Sequence, residues 1–302
     1  MVSGYGFRPP RLAAARPDDD VVRPPTQAIA VIAAILSAAT TAIAASPPQR
    51  IVSFNLCADQ LAVALADPAQ IAGLSPYAKI PSLSIVAEQA GPFPTLGWQA
   101  EGTVALSPDL VLVGPNDRSA TQRMLRRFGL PVEEVALVTD LAAARKQILG
   151  MAQRLGHPER GAALVARLDA AVRRLQGVGP PSDRTALIVE RGGYAAGPAS
   201  LAAALLDAAG LRPPAGVPAG YGGYVSLERV LLLRPDLMVL KDPPERADDQ
   251  GALFLTHPAL RGLYPPERRI ALPSRYTMCG GPALIAALDY LTGVMSRLAT
   301  TR

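Results

Sequence analysis

One pattern occurs twice in this chain, and it limits the possible folds more than any other feature. The first copy runs from Glu101 through Pro108, Asp109 and Leu110 to Val113; the second runs from Glu228 through Pro235, Asp236 and Leu237 to Leu240. In both, a glutamate stands seven residues before Pro-Asp-Leu and an apolar run follows. The copies lie too far apart for a solenoid, whose units span roughly 20–50 residues. They imply two similar halves, each feeding a short helix into a buried strand.

The midpoint between the copies falls within 158–178, where Leu164, Val165, Leu168, Val172 and Leu175 recur at spacings of three and four. Such spacing draws one apolar stripe along a helix and leaves Arg167, Asp169, Arg173 and Arg174 on the other side. Pro158 suits a first helical turn, Glu159 favours the positive end of the dipole, and Gly177 and Gly179 supply a stop. At 1.5 Å per residue the helix runs ~30 Å, long enough to be a strut between two lobes.

Composition sets limits on function. Half of the residues are apolar, mostly Ala, Leu and Val, and the excess of Arg over Lys reads as coding bias. The net charge of +5 is spread along the chain, with no Lys/Arg run of the kind that tracks a phosphate backbone, so nucleic acid is not expected as a partner. Residues 28–39 are apolar but too short a run to span a bilayer, and Ala42-Ile43-Ala44 has the form of a cleavage site. Residues 1–45 therefore resemble an export signal cleaved near Ala44 or Ala45. Asp18, Asp19 and Asp20 are out of place in its basic flank, so translation is expected to begin near Val21 or Val22.

Short apolar runs at 50–54, 71–74, 110–113, 131–135, 185–190, 237–240 and 269–272 alternate with helical patterns at 57–66, 120–128, 140–155, 200–209 and 281–298. That alternation predicts an α/β fold with mostly parallel sheets. Segments 75–97 and 212–224, rich in Pro and Gly, read as loops. The expected organisation is an N-terminal lobe at 46–157, a bridging helix at 158–178 and a C-terminal lobe at 179–302.

Ligands of open α/β sheets bind beyond the carboxyl ends of the strands. In this chain those positions carry Asn55 and Cys57, Tyr77 and Lys79, Asn116 and Arg118, Arg191 and Tyr194, and Arg275, Tyr276 and Cys279. Tyrosines and cations gather there, which suits a cleft for an anionic or aromatic ligand. The two cysteines, Cys57 and Cys279, admit three readings: one disulfide stapling the lobes, free thiols at the ligand, or a soft-metal pair. His157 and His257 each precede a proline at a helix start and read as structural. No Ser-His-Asp arrangement and no phosphate-binding Gly loop is evident, and no enzyme activity, cofactor or bound metal is expected.

The Arg50-Ile-Val-Ser53 opening, the paired Glu…Pro-Asp-Leu segments, the single linking helix and the Gly280-Gly281-Pro282 loop, in that order, resemble the periplasmic substrate-binding proteins of ABC importers for iron–siderophore complexes, haem and cobalamin. The match spans 49–298. The resemblance implies two α/β lobes bridged by one long helix, with a ligand cleft between them. It implies a monomeric periplasmic receptor that hands a metal chelate or corrinoid to an ABC permease with its ATPase subunits. It places ring-stacking roles on Tyr194, Tyr221, Tyr224 and Tyr276, with Tyr77 and Trp98 from the first lobe. Arg275 suits a carboxylate or catecholate oxygen, and Glu101 and Glu228 become the permease-docking pair. Cations beside the cleft point toward a ferric siderophore. A reading from another class is a thiol-dependent metal chaperone or enzyme on the same scaffold, using Cys57 and Cys279.

Overall fold

Successive strand residues point to opposite faces of a sheet, and here the two faces enter different cores. Ile51, Leu110 and Leu112 join one buried cluster, whereas Val52, Phe54, Val111 and Val113 join another. In the second half Ala186, Ile188, Leu237 and Val239 belong to the first cluster, and Leu187, Val189, Met238 and Leu240 to a third. Strands covered on both faces read as unbroken apolar runs, as parallel strands do.

The computed structural model describes residues 46–115, 117–178, 183–242 and 253–300. The expected export signal, Asn116 and Gly179 lie outside the described residues. The first half holds strands β1 (Ile51–Ser53), β2 (Ile71–Gly73), β3 (Leu110–Val113) and β4 (Val132–Glu134) with helices α1 (Leu56–Leu65), α2 (Ala100–Ala105), α3 (Ser119–Arg127) and α4 (Leu141–Leu155). Its sheet is parallel throughout, in the order β2-β1-β3-β4. Helix α5 (Pro158–Gln176) follows. The second half holds β5 (Ala186–Val189), β6 (Tyr194–Ala196), β7 (Gly222–Tyr224), β8 (Leu237–Lys241) and β9 (Arg269–Leu272). Its helices are α6 (Leu201–Ala208), α7 (Leu227–Leu233), α8 (Leu253–Thr256), α9 (Pro258–Leu263) and α10 (Pro282–Thr300). In the order β7-β6-β5-β8-β9, the strands β5, β8 and β9 are parallel, and β6 and β7 add an antiparallel edge.

The repeated Pro-Asp has one structural task in both halves. The preceding residues, Ser107 and Arg234, take the left-handed conformation at φ 47 and 44°. The aspartate then caps the start of the neighbouring strand. Asp109 accepts from the Gln49 and Arg50 amides at 2.7 and 2.8 Å, and Asp236 accepts from the Thr185 amide and hydroxyl at 2.7 and 2.9 Å. The Thr185 amide holds the Asp236 carboxyl below the usual carboxylate range.

Helix α5 is more deeply engaged than a free strut. Leu164, Leu168, Ala171, Val172 and Leu175 are buried in the cluster that also takes in α1, α4, α6 and α10. Asp169, expected on the solvent side, is half-buried against Arg145 of α4 at 2.7 Å, and Arg174 reaches Asp289 of α10 at 2.7 Å. Arg160 pairs with Asp67 and donates to the Leu65 carbonyl, and His157, just before the helix, sets its Nε2 2.9 Å from Gln70 Oε1 without capping the helix. One apolar core therefore runs through both halves, and Ser46–Arg302 forms one compact unit.

Candidate functional site

At the carboxyl ends of β5 and β8, Glu190 and Lys241 stand side by side, because Val189 is in register with Leu240. Lys241 Nζ donates to Glu190 Oε1 at 2.9 Å, with the side chains 14% and 29% exposed. After Glu190 the chain turns back through Gly192 and Gly193, at φ 68 and 83°. A Cβ on Gly193 would lie 2.8 Å from the Val225 carbonyl oxygen, so both conformation and space require glycine. The turn launches β6, whose Tyr194 is directly opposite Tyr224 of β7. Their rings meet edge to face with centroids 5.5 Å apart, a favourable aromatic geometry. Asp242, at φ 50°, accepts from the Ser274 amide at 2.7 Å and so ties the end of β8 to the end of β9.

Glu190, Arg191, Tyr194, Tyr224, Lys241 and Asp242 line a cavity of about 300 Å³. Two acids and two cations balance formally, and Tyr224 presents most of its ring to solvent. The size is at the small end for ligand sites, so the cavity would take one edge of a large ligand rather than all of it. Arg191 and both tyrosines were expected here. Glu190, Lys241 and Asp242 were missed, although each stands at a strand's carboxyl end, the position rule that located Arg191 and Tyr194.

A second cluster forms at the strand ends of the first half. Asn55 caps α1, accepting from the Cys57 and Ala58 amides at 2.9 and 3.2 Å, and its amide donates to Asp117 at 2.7 Å. A Cβ on Gly114 would overlap both side chains, which explains a glycine at the end of β3. Arg118, at φ 45°, lays its guanidinium over the Trp98 ring, 3.4 Å from the centroid. Tyr77 packs on Trp98 at 5.2 Å and Phe54 at 6.4 Å. Tyr77, Trp98 and Arg118 are thus brought together as a cation–aromatic stack.

The remaining candidates are distributed elsewhere. Cys57 and Cys279 form a disulfide with Cα atoms 5.0 Å apart, joining α1 of the first half to the loop before α10. Beside it, Gly280 and Gly281 lie against Val138 and Leu61 of the first half, and a Cβ on Gly280 would come within 2.6 Å of Val138. Arg275 is occupied by protein partners: it donates to the Pro81 carbonyl at 3.3 Å and the Tyr276 hydroxyl at 3.2 Å. Tyr276 itself stacks on Tyr290 at 5.4 Å. Tyr221 is exposed at the approach to β7. Glu101 and Glu228 are exposed in the first turns of α2 and α7. Its own helix amide, with the Ser226 hydroxyl, holds the Glu228 carboxyl below the usual range.

Two parallel-cored sheets, joined by one helix and bearing polar–aromatic clusters at their strand ends, define a bilobal α/β binding protein. The sequence matches the profile of the periplasmic binding protein family over residues 51–263, and the chain belongs to that family. No curated protein sequence matches the chain significantly. Among solved structures, the periplasmic heme-binding protein RhuT from Roseiflexus sp. RS-1, in apo form, is 25% identical; the match covers 83% of this chain and 99% of that one at a TM-score of 0.66. A periplasmic heme binding protein from Pseudomonas aeruginosa, 24% identical, is covered to 93% against 83% of this chain at 0.64. The vitamin B12 binding protein BtuF of Vibrio cholerae, 18% identical, shares the fold over 85% of this chain and 99% of its own at 0.62.

Proposed function

We propose that the protein is an exported, monomeric receptor that captures a metal chelate, either a ferric siderophore or haem, or a cobalamin-type ligand, and delivers it to an ABC permease with its ATPase subunits. The observation that carries this reading is the pairing of family membership with aromatic and cationic side chains at the strand ends of both sheets. A large ligand with an apolar face and a charged edge suits Tyr194 and Tyr224 beside Arg191 and Lys241, with Tyr77, Trp98 and Arg118 contributed by the other half. A disulfide fits an oxidising compartment outside the cytosol, in keeping with cleavage of an export signal near Ala44 or Ala45. Glu101 and Glu228, one per half and both exposed, would orient the receptor on the permease through charge pairs. The thiol-dependent chaperone or enzyme is not favoured, because its two sulfurs are bonded to each other.

The test is an absorbance titration of the purified protein with hemin, cyanocobalamin and ferric siderophore complexes. One of the three should saturate at one ligand per chain without turnover. Replacing Tyr194 and Tyr224 together with alanine should weaken that binding about tenfold or more. If none of the three classes binds, the receptor reading fails.

A further inference from the structure

Charge that looks dispersed along the sequence becomes dense on one helix. From Arg118 to Pro131 the chain carries four arginines and no acidic residue. Helix α3 turns Gln122 and Leu125 inward, where the Gln122 amide donates to the Asp117 carbonyl at 2.5 Å. Its outward side then carries two rows one turn long: Arg123 with Arg127, and Met124 with Phe128. Met124 is 40% exposed and Phe128 54%. Arg123 and Arg127 have no hydrogen-bond or ion-pair partner among the described residues. Like charges four residues apart repel. The helix dipole compensates Arg127 in the last turn, but not Arg123 at mid-helix.

We propose that this face rests on an anionic phospholipid surface, with Arg123 and Arg127 meeting lipid phosphates and Met124 and Phe128 entering the headgroup boundary. An acidic protein patch would answer the guanidiniums but leave the apolar row to find a separate groove. A phospholipid leaflet offers both in one plane. The placement agrees with the receptor reading, on which the inference partly rests. Thr121 of α3 donates to the Trp98 carbonyl at 3.2 Å, and α2, with Glu101 in its first turn, packs beside α3. A receptor docked through Glu101 would bring this flank toward the membrane.

The test uses protein recovered from the periplasm after export, floated with vesicles of phosphatidylcholine alone or mixed with phosphatidylglycerol. The wild type should float with the anionic vesicles only, and less so as salt is raised. Arg123→Glu with Arg127→Glu should lower that affinity roughly tenfold or more, and Met124→Ser with Phe128→Ser should also reduce it. Equal flotation of wild type and variants, flotation with neutral vesicles, or no flotation would overturn the proposal. So would variants that bind lipid normally but lose the detergent-solubilised permease, because the partner would then be a protein. Each preparation is also titrated with hemin, cyanocobalamin and ferric siderophores. Lost flotation with retained ligand binding supports the lipid contact separately, and failure of every ligand overturns the receptor reading alone.

Discussion

Asp59, in the first turns of α1, has no exposed surface, and its carboxylate accepts from the Ser75 amide at 3.1 Å and the Ser75 hydroxyl at 2.5 Å. Burial outweighs these hydrogen bonds and pushes its pKa up from 3.8 to about 7. Between those values the folded protein holds a proton that the unfolded chain has released. Stability therefore falls as pH rises through that window and levels off above it. The Asp59→Asn variant keeps an acceptor for the Ser75 amide and gains a donor for its hydroxyl. It should be more stable than wild type at pH 8, by on the order of 2–4 kcal/mol, and nearly matched at pH 4. Urea denaturation of both proteins at the two pH values checks this, because the other titrating groups are common to both. The sequence concealed Asp59: an acid in a first helical turn ordinarily reads as a solvent-facing partner of the dipole. Nothing in its own helix shows that Ser75, just after β2, and Ser53, at the end of β1, come up against it. The same limit applies to Arg275, whose loop was legible but whose partners, Pro81 and Tyr276, were not.

At the scale of elements, α4 and α5 pack closely because of one glycine. A Cβ at Gly161 would overlap that of Ala152 and press on the Ile148 carbonyl, whereas one at Gly150 meets nothing within 4 Å. Gly161→Ala should destabilise by about 1–3 kcal/mol through overpacking. Gly150→Ala, at an exposed helix interior, should stabilise by about 0.5–1 kcal/mol. Thermal melts of the pair, with opposite signs expected, separate packing from helix propensity. Helices α1, α4, α5 and α10 were legible because their apolar residues recur at three and four, and β3 and β8 because they repeat. Strands β6 and β7 were not. Three residues each, Tyr-Ala-Ala and Gly-Gly-Tyr, carry no alternation. The register that faces Tyr194 with Tyr224 arises from pairing across α6 and a loop rich in Gly and Pro, and it also built the part of the cavity that residue types alone left unassembled.

Across the whole molecule, the duplicated Pro-Asp-Leu made the two sheets legible, but not the shared core that joins them. Residues such as Leu168, Leu205 and Leu288 are equally apolar whether they face one lobe or both. Reversing both proposed docking charges, Glu101→Arg with Glu228→Arg, should abolish ligand uptake by cells while leaving the purified receptor's ligand affinity unchanged. Normal uptake by that variant would remove the docking assignment. The disulfide adds a constraint of the same reach. Closing a sequence separation of 222 residues restricts the unfolded chain by on the order of 5 kcal/mol in the chain-entropy view. It also makes most of the polypeptide a covalent ring. A single protease nick anywhere between positions 57 and 279 then opens a hoop instead of releasing a fragment, and the severed ends stay on one molecule until a reductant parts them.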